Sequence, residues 1–153
     1  MRIPPEIEAF ITQEIEVGQM CLPDHYPTAA NFSDFQAGYR YNAVTKEDIT
    51  GTLEGDFKPT WYLIAANYFD DPFYVDFSES DLGFPVYFSY HGAGSWTPLK
   101  VSATLFEFTT LLTKLVDLQE DADAYLRTLR SVPEAENEFW QEVITSYETR
   151  DEE

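Results

Sequence analysis

Apolar and polar residues alternate with the period of a helix near the start of the chain. Acidic residues occupy most positions on the other face of this segment. Two consecutive prolines precede the pattern, as they often do at helix starts, and Gly18 suits the helix end. The segment predicts an amphipathic first helix whose apolar face consists of Ile7, Phe10, Ile11 and Ile15.

The middle of the chain has the two-residue period of β-strands. Residues 39–44 predict one strand, and residues 49–53 predict a second, weaker one. Residues 61–66 are apolar at every position, which is typical of a central strand covered on both sides. Residues 73–78 and 86–90 alternate apolar with polar side chains, which predicts strands with one solvated face. The short connections favour antiparallel pairing, because parallel neighbours need long crossovers.

The helical period returns after residue 103. Thr104 and Glu107 form the sequence pattern of a capping box, and an apolar stripe follows as far as residue 115. A weaker helix is expected over residues 121–130. Pro133, followed by acidic residues, indicates the start of a last helix.

These elements predict a single α+β domain over residues 1–153. We expect a mostly antiparallel sheet of about four to six strands, flanked by N-terminal and C-terminal helices. The chain has 153 residues, of which 44% are apolar, and this suffices for a core without metal ions or disulfides. Cys21 is the single cysteine, so no intrachain disulfide forms, which fits a reducing compartment. With neither a signal-peptide pattern nor a membrane-spanning stretch in the sequence, we expect the cytoplasm.

The charge of the chain changes the expected partner. There are 28 Asp and Glu residues against nine Lys and Arg, which gives a net charge of −19. Such a protein repels polyanions, so binding to nucleic acid or to an anionic membrane is not expected. A strongly acidic surface instead accelerates and orients the encounter with a basic protein.

Motifs of known chemistry are incomplete in this sequence. His91-Gly92-Ala93-Gly94 resembles an oxyanion-hole segment, but the Gly-x-Ser-x-Gly nucleophile motif that would accompany it does not occur. The few His and Cys residues are dispersed, which is unlike a zinc site, and no phosphate-binding loop is found. We therefore expect no enzyme activity, no catalytic residue, no metal site and no cofactor.

Acidic residues are interleaved with aromatic ones in and between the predicted strands. Aromatic side chains ringed by carboxylates suit capture of a basic protein surface. The alternative is that most of the rings belong to the core and the charges form an ordinary solvated surface. The aromatic residues in this region include Trp61, Tyr68, Phe69 and Tyr74. The candidate partner-binding residues are Glu54, Asp56, Asp70, Asp71, Asp76, Glu79, Asp81 and Trp96.

Several short motifs follow one another in a fixed order over residues 22–115. Their order and spacing resemble those of the SUKH superfamily, and the acidic, helical extension at residues 117–153 lies outside the resemblance. The motifs are Leu22-Pro23-x-x-Tyr26, residues 61–65, residues 71–76, Pro85-Val86-Tyr87, Trp96 and residues 101–108.

This resemblance implies helices around a mostly antiparallel sheet and no catalytic residues. Bacterial SUKH proteins are largely immunity proteins that bind cognate toxins, often nucleases, of polymorphic toxin systems. The resemblance thus implies a cytoplasmic immunity protein, and the acidity favours a basic nuclease as its toxin. A regulatory or scaffold protein of the same fold is the alternative, and a small hydrolase is a remote one. The oligomeric state stays open.

Overall fold

Four antiparallel strands form one sheet in the computed structural model, which describes residues 2–150. Each strand pairs with the next one along the chain, as the short connections predict, so the sheet order is β1-β2-β3-β4. The α+β class is confirmed. The strands are β1 (Trp61–Ala66), β2 (Pro72–Asp76), β3 (Val86–Phe88) and β4 (Leu99–Ser102).

Five α-helices accompany the sheet, and none of them, within residues 2–150, is long and apolar enough to cross a membrane. The predicted cap at Thr104 is confirmed, because its side chain accepts a hydrogen bond from the Glu107 N–H at 3.1 Å. The first helix ends earlier than predicted, at Gln13, because the next residue, Glu14, has a left-handed conformation with a φ of 46°. The helices are α1 (Pro5–Gln13), α2 (Phe32–Phe35), α3 (Leu105–Asp117), α4 (Ala122–Arg130) and α5 (Glu138–Glu148), and a 3-10 helix spans Phe77–Leu82.

One face of the sheet carries the main hydrophobic core. The helices α1, α3 and α5 cover this face, and Phe73 of β2 packs among aromatic rings from β3, α3 and α5. The last helix begins five residues after Pro133, at Glu138, where Asn137 provides the cap by accepting a hydrogen bond from the Trp140 N–H at 3.0 Å. The apolar stripes of the predicted helices are thus the surfaces that meet the sheet.

The opposite face of the sheet is covered too, although the sequence predicted that it would be solvated. Tyr74 of β2 is fully buried in a second cluster with Phe57 and Leu63. Tyr39 and Trp96 pack over this cluster from two long loops. The prediction of a half-solvated strand at residues 73–78 is therefore wrong, because the polar-looking positions face aromatic residues that arrive from distant segments.

The strand β1 lies at an edge of the sheet and is not central. Its outward backbone groups are nevertheless satisfied. The buried Gln36 side chain accepts a hydrogen bond from the Leu63 N–H at 2.8 Å and donates one to the Leu63 carbonyl at 3.0 Å. Ala66 exchanges backbone hydrogen bonds of 2.9 and 3.0 Å with His25, and the Arg40 guanidinium donates to the Trp61 carbonyl at 2.6 Å. A covered edge resists pairing with other chains.

The predicted strands at residues 39–44 and 49–53 do not form. Tyr41 makes isolated bridges with Ala37 and Asp48, and the backbone around it consists of turns. The Asn42 side chain accepts hydrogen bonds from the N–H groups of Val44 and Thr45, which stabilises a turn in competition with a strand.

Candidate partner-binding surface

The predicted partner-binding residues lie in separate parts of the fold. Asp70 and Asp71 belong to the turn between β1 and β2, whereas Asp76 ends β2. The length of this five-residue strand, about 13–17 Å, therefore separates the turn from Asp76. Glu79 and Asp81 follow in the 3-10 helix, on the side of Asp76. The remaining residues lie in the loops over the second face of the sheet and are Glu54, Asp56 and Trp96.

Several of these side chains are engaged within the protein. Asp71 is buried, and its Oδ1 accepts a hydrogen bond from the His91 N–H at 2.9 Å and contacts the His91 ring Nδ1 at 2.6 Å. The Asp76 Oδ1 accepts from both the N–H and the hydroxyl of Ser78, at 2.9 and 2.6 Å. Glu79 accepts a hydrogen bond from the Tyr87 hydroxyl at 2.9 Å. These three carboxylates stabilise local structure.

Trp96 and Asp56 also have structural contacts. The Trp96 ring packs on Tyr39 and Phe57 with centroid distances of 5.7 and 5.6 Å, so it helps to cover the sheet. The Asp56 carboxylate accepts a hydrogen bond from the Leu53 N–H at 3.0 Å. Of the predicted acidic residues, those whose side chains are exposed are Glu54, Asp70 and Asp81.

The turn between β1 and β2 is held by one buried side chain. Oδ1 of Asn67 accepts hydrogen bonds from the N–H groups of Phe69 and Asp71, at 2.9 and 3.1 Å. The Asn67 N–H donates to the Asp71 carbonyl at 3.1 Å, which closes the turn. Asp70 has a φ of 65°, a left-handed conformation that Asp tolerates better than most residues. The turn is therefore fixed in shape.

This turn presents apolar side chains to solvent. Tyr68 and Phe69 are 61% and 48% exposed, and their rings contact each other edge to face at a centroid distance of 5.4 Å. Met20, which is 47% exposed, lies beside them, since the Tyr68 N–H donates to the Met20 carbonyl at 3.2 Å. Exposed apolar residues that cluster in this way often mark interaction sites.

Two carboxylates, Asp24 and Asp70, lie at this turn. The Asp24 N–H donates to the Ala66 carbonyl at 3.0 Å, which places Asp24 at the end of β1 where the turn begins. Burial raises the pKa of Asp24, the nearby His25 opposes this, and the negative charges of Glu16 and Asp70 raise the pKa further. Oδ1 of Asp24 has no hydrogen-bond partner among residues 2–150, and His25 Nε2 is 3.5 Å away. We call Met20, Asp24, Tyr68, Phe69 and Asp70 the turn surface.

The sequence reasoning identified this surface in part. Tyr68, Phe69 and Asp70 are among the acidic and aromatic residues that it singled out. Met20 and Asp24 were not predicted, because their segment reaches the turn through the pairing of His25 with Ala66. The two interpretations of the aromatic residues, as core or as exposed anchors, each apply to some of them. Tyr74 belongs to the core, whereas Tyr68 and Phe69 are exposed.

The groups considered for catalysis or metal binding are dispersed. In the part of the chain that the structure describes, no three His, Cys, Asp or Glu residues are grouped so that they could hold a metal ion. Cys21 is buried, and burial raises the pKa of its thiol, which favours the unreactive protonated form. Among residues 2–150, no hydroxyl or thiol is hydrogen-bonded to the His91 ring, whose partner is Asp71.

Comparisons of the chain with protein-family models, with curated proteins and with solved structures found no match. The resemblance to the SUKH superfamily therefore stays a prediction from short motifs. In the structure, Leu22 is part of the core, and the Tyr26 hydroxyl donates to the Ile15 carbonyl at 2.6 Å. Two further motifs coincide with the paired strands β1 and β2, and residues 101–108 lead into α3.

Proposed function

We propose that this chain is a non-catalytic protein-binding module that neutralises a bacterial toxin, and that the toxin is a basic nuclease. The observation that carries the binding role is the exposed aromatic pair of Tyr68 and Phe69, fixed on a rigid turn of a protein whose net charge is −19. Rigid aromatic side chains make efficient contacts in interfaces, because little conformational entropy is lost when they bind. The immunity role comes from the resemblance to SUKH proteins.

The negative charge is available to a partner. With both groups taken from residues 2–150, Arg130 and Glu148 form the one ion pair between a carboxylate and an Arg or Lys, at 2.6 Å. Arg40 is hydrogen-bonded to backbone carbonyls. Few of the acidic residues are thus neutralised within the protein. A nuclease needs a basic groove for its substrate, and carboxylates could occupy that groove in place of phosphates.

Co-expression tests this function. If the gene that precedes this one encodes the toxin, its product should arrest bacterial growth, and the chain should restore growth and co-purify with that product. A Tyr68→Ala/Phe69→Ala variant, which removes the proposed anchors without touching the core, should co-purify less and restore growth less well. A complex without growth rescue would contradict the immunity role and favour the regulatory one. Absence of any complex would contradict binding to that product.

A further inference from the structure

Tyr68 and Phe69 are exposed apolar residues in a turn whose two ends are buried. Asn67 and Asp71, at these ends, are hydrogen-bonded to each other, and Asp70, which follows Phe69, is exposed as well. The turn could be closed by the same Asn67 contacts with small polar residues at positions 68 and 69, because these contacts involve backbone N–H groups. Exposing two rings instead lowers solubility and contributes little to folding.

The charge beside the rings is unbalanced. Asp70 follows Phe69 in the turn, Asp24 is hydrogen-bonded through its N–H to Ala66 where the turn begins, and Asp24 interacts with the charges of Glu16 and Asp70. Among residues 2–150, the basic group that interacts with Asp24 is His25, whose side chain is half exposed. A cation that settled on the rings would be attracted by these carboxylates, of which Asp70 is exposed and Asp24 is partly exposed. The surface is therefore complementary to a group that is both cationic and able to lie flat on a ring.

Arginine meets both conditions better than lysine does, and the chain itself contains the comparison. The guanidinium carbons of Arg40 and Arg150 lie 3.8 Å from the ring centroids of Tyr62 and Tyr147. The ammonium groups of the two lysines near rings, Lys46 and Lys58, stay 5.5 and 5.9 Å from theirs. A planar guanidinium stacks on aromatic faces and forms paired hydrogen bonds with carboxylates, whereas an ammonium group is more strongly hydrated.

We infer that the turn surface is the docking site for the basic partner and that it receives an arginine side chain, stacked on Tyr68 and Phe69 and hydrogen-bonded to Asp24 and Asp70. This inference rests on the proposed function, in that the partner is a basic protein. It adds the place of contact and the residue type that the partner contributes.

The inference can be tested without knowledge of the toxin. We would titrate the ¹⁵N-labelled chain with a hexa-arginine peptide, and separately with a hexalysine peptide of equal charge, at about 0.15 M salt. We expect hexa-arginine to shift the amide signals of residues 20, 24 and 67–71 most strongly and to bind more tightly than hexalysine. The Tyr68→Ala/Phe69→Ala variant should bind hexa-arginine about five- to thirtyfold more weakly. The control is Phe106→Ala, which removes a ring on α3 that is even more exposed and should leave binding unchanged.

The outcomes separate this inference from the proposed function. Shifts spread over the whole acidic surface, equal affinities for the two peptides, or an unaffected double variant would overturn the docking site. Growth rescue together with any of these results would leave the immunity function standing without the docking site. A localised arginine footprint without growth rescue would support the docking site and contradict the toxin as partner.

The Asp24→Asn variant tests the role of Asp24 through both thermal stability and binding. We expect this variant to unfold at a higher temperature than the wild type at pH 7, because it removes a partly buried charge that faces Glu16 and Asp70. A raised carboxyl pKa in the folded state means that the ionised form destabilises the fold, so the gain should disappear as the pH falls and the wild-type carboxyl is protonated. The same variant should bind hexa-arginine about two- to fivefold more weakly. Lower stability or unchanged binding would contradict the assigned role of Asp24.

Discussion

Phe73→Ala is expected to lower the free energy of unfolding by about 3–5 kcal/mol. Phe73 is fully buried in the middle of the sheet, and the rings of Phe88, Phe108 and Phe139 surround it at centroid distances of 5.1, 5.8 and 5.5 Å. Alanine would leave a cavity that three elements border, and the sheet cannot close it without moving a helix. Urea denaturation followed by circular dichroism measures the loss as a lower midpoint at an unchanged slope.

Phe69→Ala is the matched control, because it makes the same substitution four residues earlier. Phe69 lies at the turn, and its ring contacts Tyr68 and solvent. Its loss should change the free energy of unfolding by no more than about 0.5 kcal/mol. If Phe69→Ala destabilised the protein as much as Phe73→Ala, the ring would be part of the core and the turn surface would lose its main support.

Gln36→Leu is expected to cost about 2–4 kcal/mol, although leucine is apolar and similar in size. The Gln36 side chain is 2% exposed and satisfies both the N–H and the carbonyl of Leu63 on the edge strand β1. Leucine would leave both backbone groups buried without partners. We further expect the variant to aggregate at concentrations where the wild type stays in solution, since the edge of the sheet would be uncovered.

Gln13→Leu provides the comparison for Gln36→Leu. The Gln13 amide also donates to a backbone carbonyl, that of Ala9 at 3.2 Å, but it lies on the exposed side of α1. Water can replace this bond, so the substitution should change stability by no more than about 0.5 kcal/mol. Equal effects at the two positions, measured by urea denaturation, would show that Gln36 does not protect the edge.

Local patterns predicted the elements whose formation depends on nearby residues. The capping pattern at Thr104 is four residues long, and the helix α3 begins where that pattern places it. The strands β1 and β2 follow from apolar runs joined by a short connection, which leaves antiparallel pairing as the natural arrangement. Such features depend on residues that are close together in the chain, so a single sequence suffices to predict them.

Long-range contacts account for what the sequence did not reveal. Gln36 covers β1 from a position 27 residues earlier in the chain. Phe57 and Trp96 bury the second face of the sheet from loops that have no periodic pattern. The alternation around Tyr74 therefore predicts a solvated face, although that face lies under aromatic rings.

The same distinction applies to the candidate site. Sequence proximity grouped Asp71, Asp76 and Glu79, but β2 separates the first from the others, and each accepts a hydrogen bond within the protein. The β-bridge between residues 25 and 66 brings Asp24 close to Asp70, and no short sequence motif predicts this bridge. The sequence shows how many acidic and aromatic residues there are, whereas the fold determines which of them lie together on the surface.

The dependence of the association rate on salt tests the central proposal most directly. We would measure the rate constant between the chain and the product of the preceding gene by stopped-flow fluorescence at about 0.05 M and about 0.5 M NaCl. An acidic protein that captures a basic partner should associate at least about tenfold more slowly at the higher concentration, because salt screens the attraction that brings the two together. A rate that stays the same at both concentrations would contradict electrostatic capture of a basic toxin.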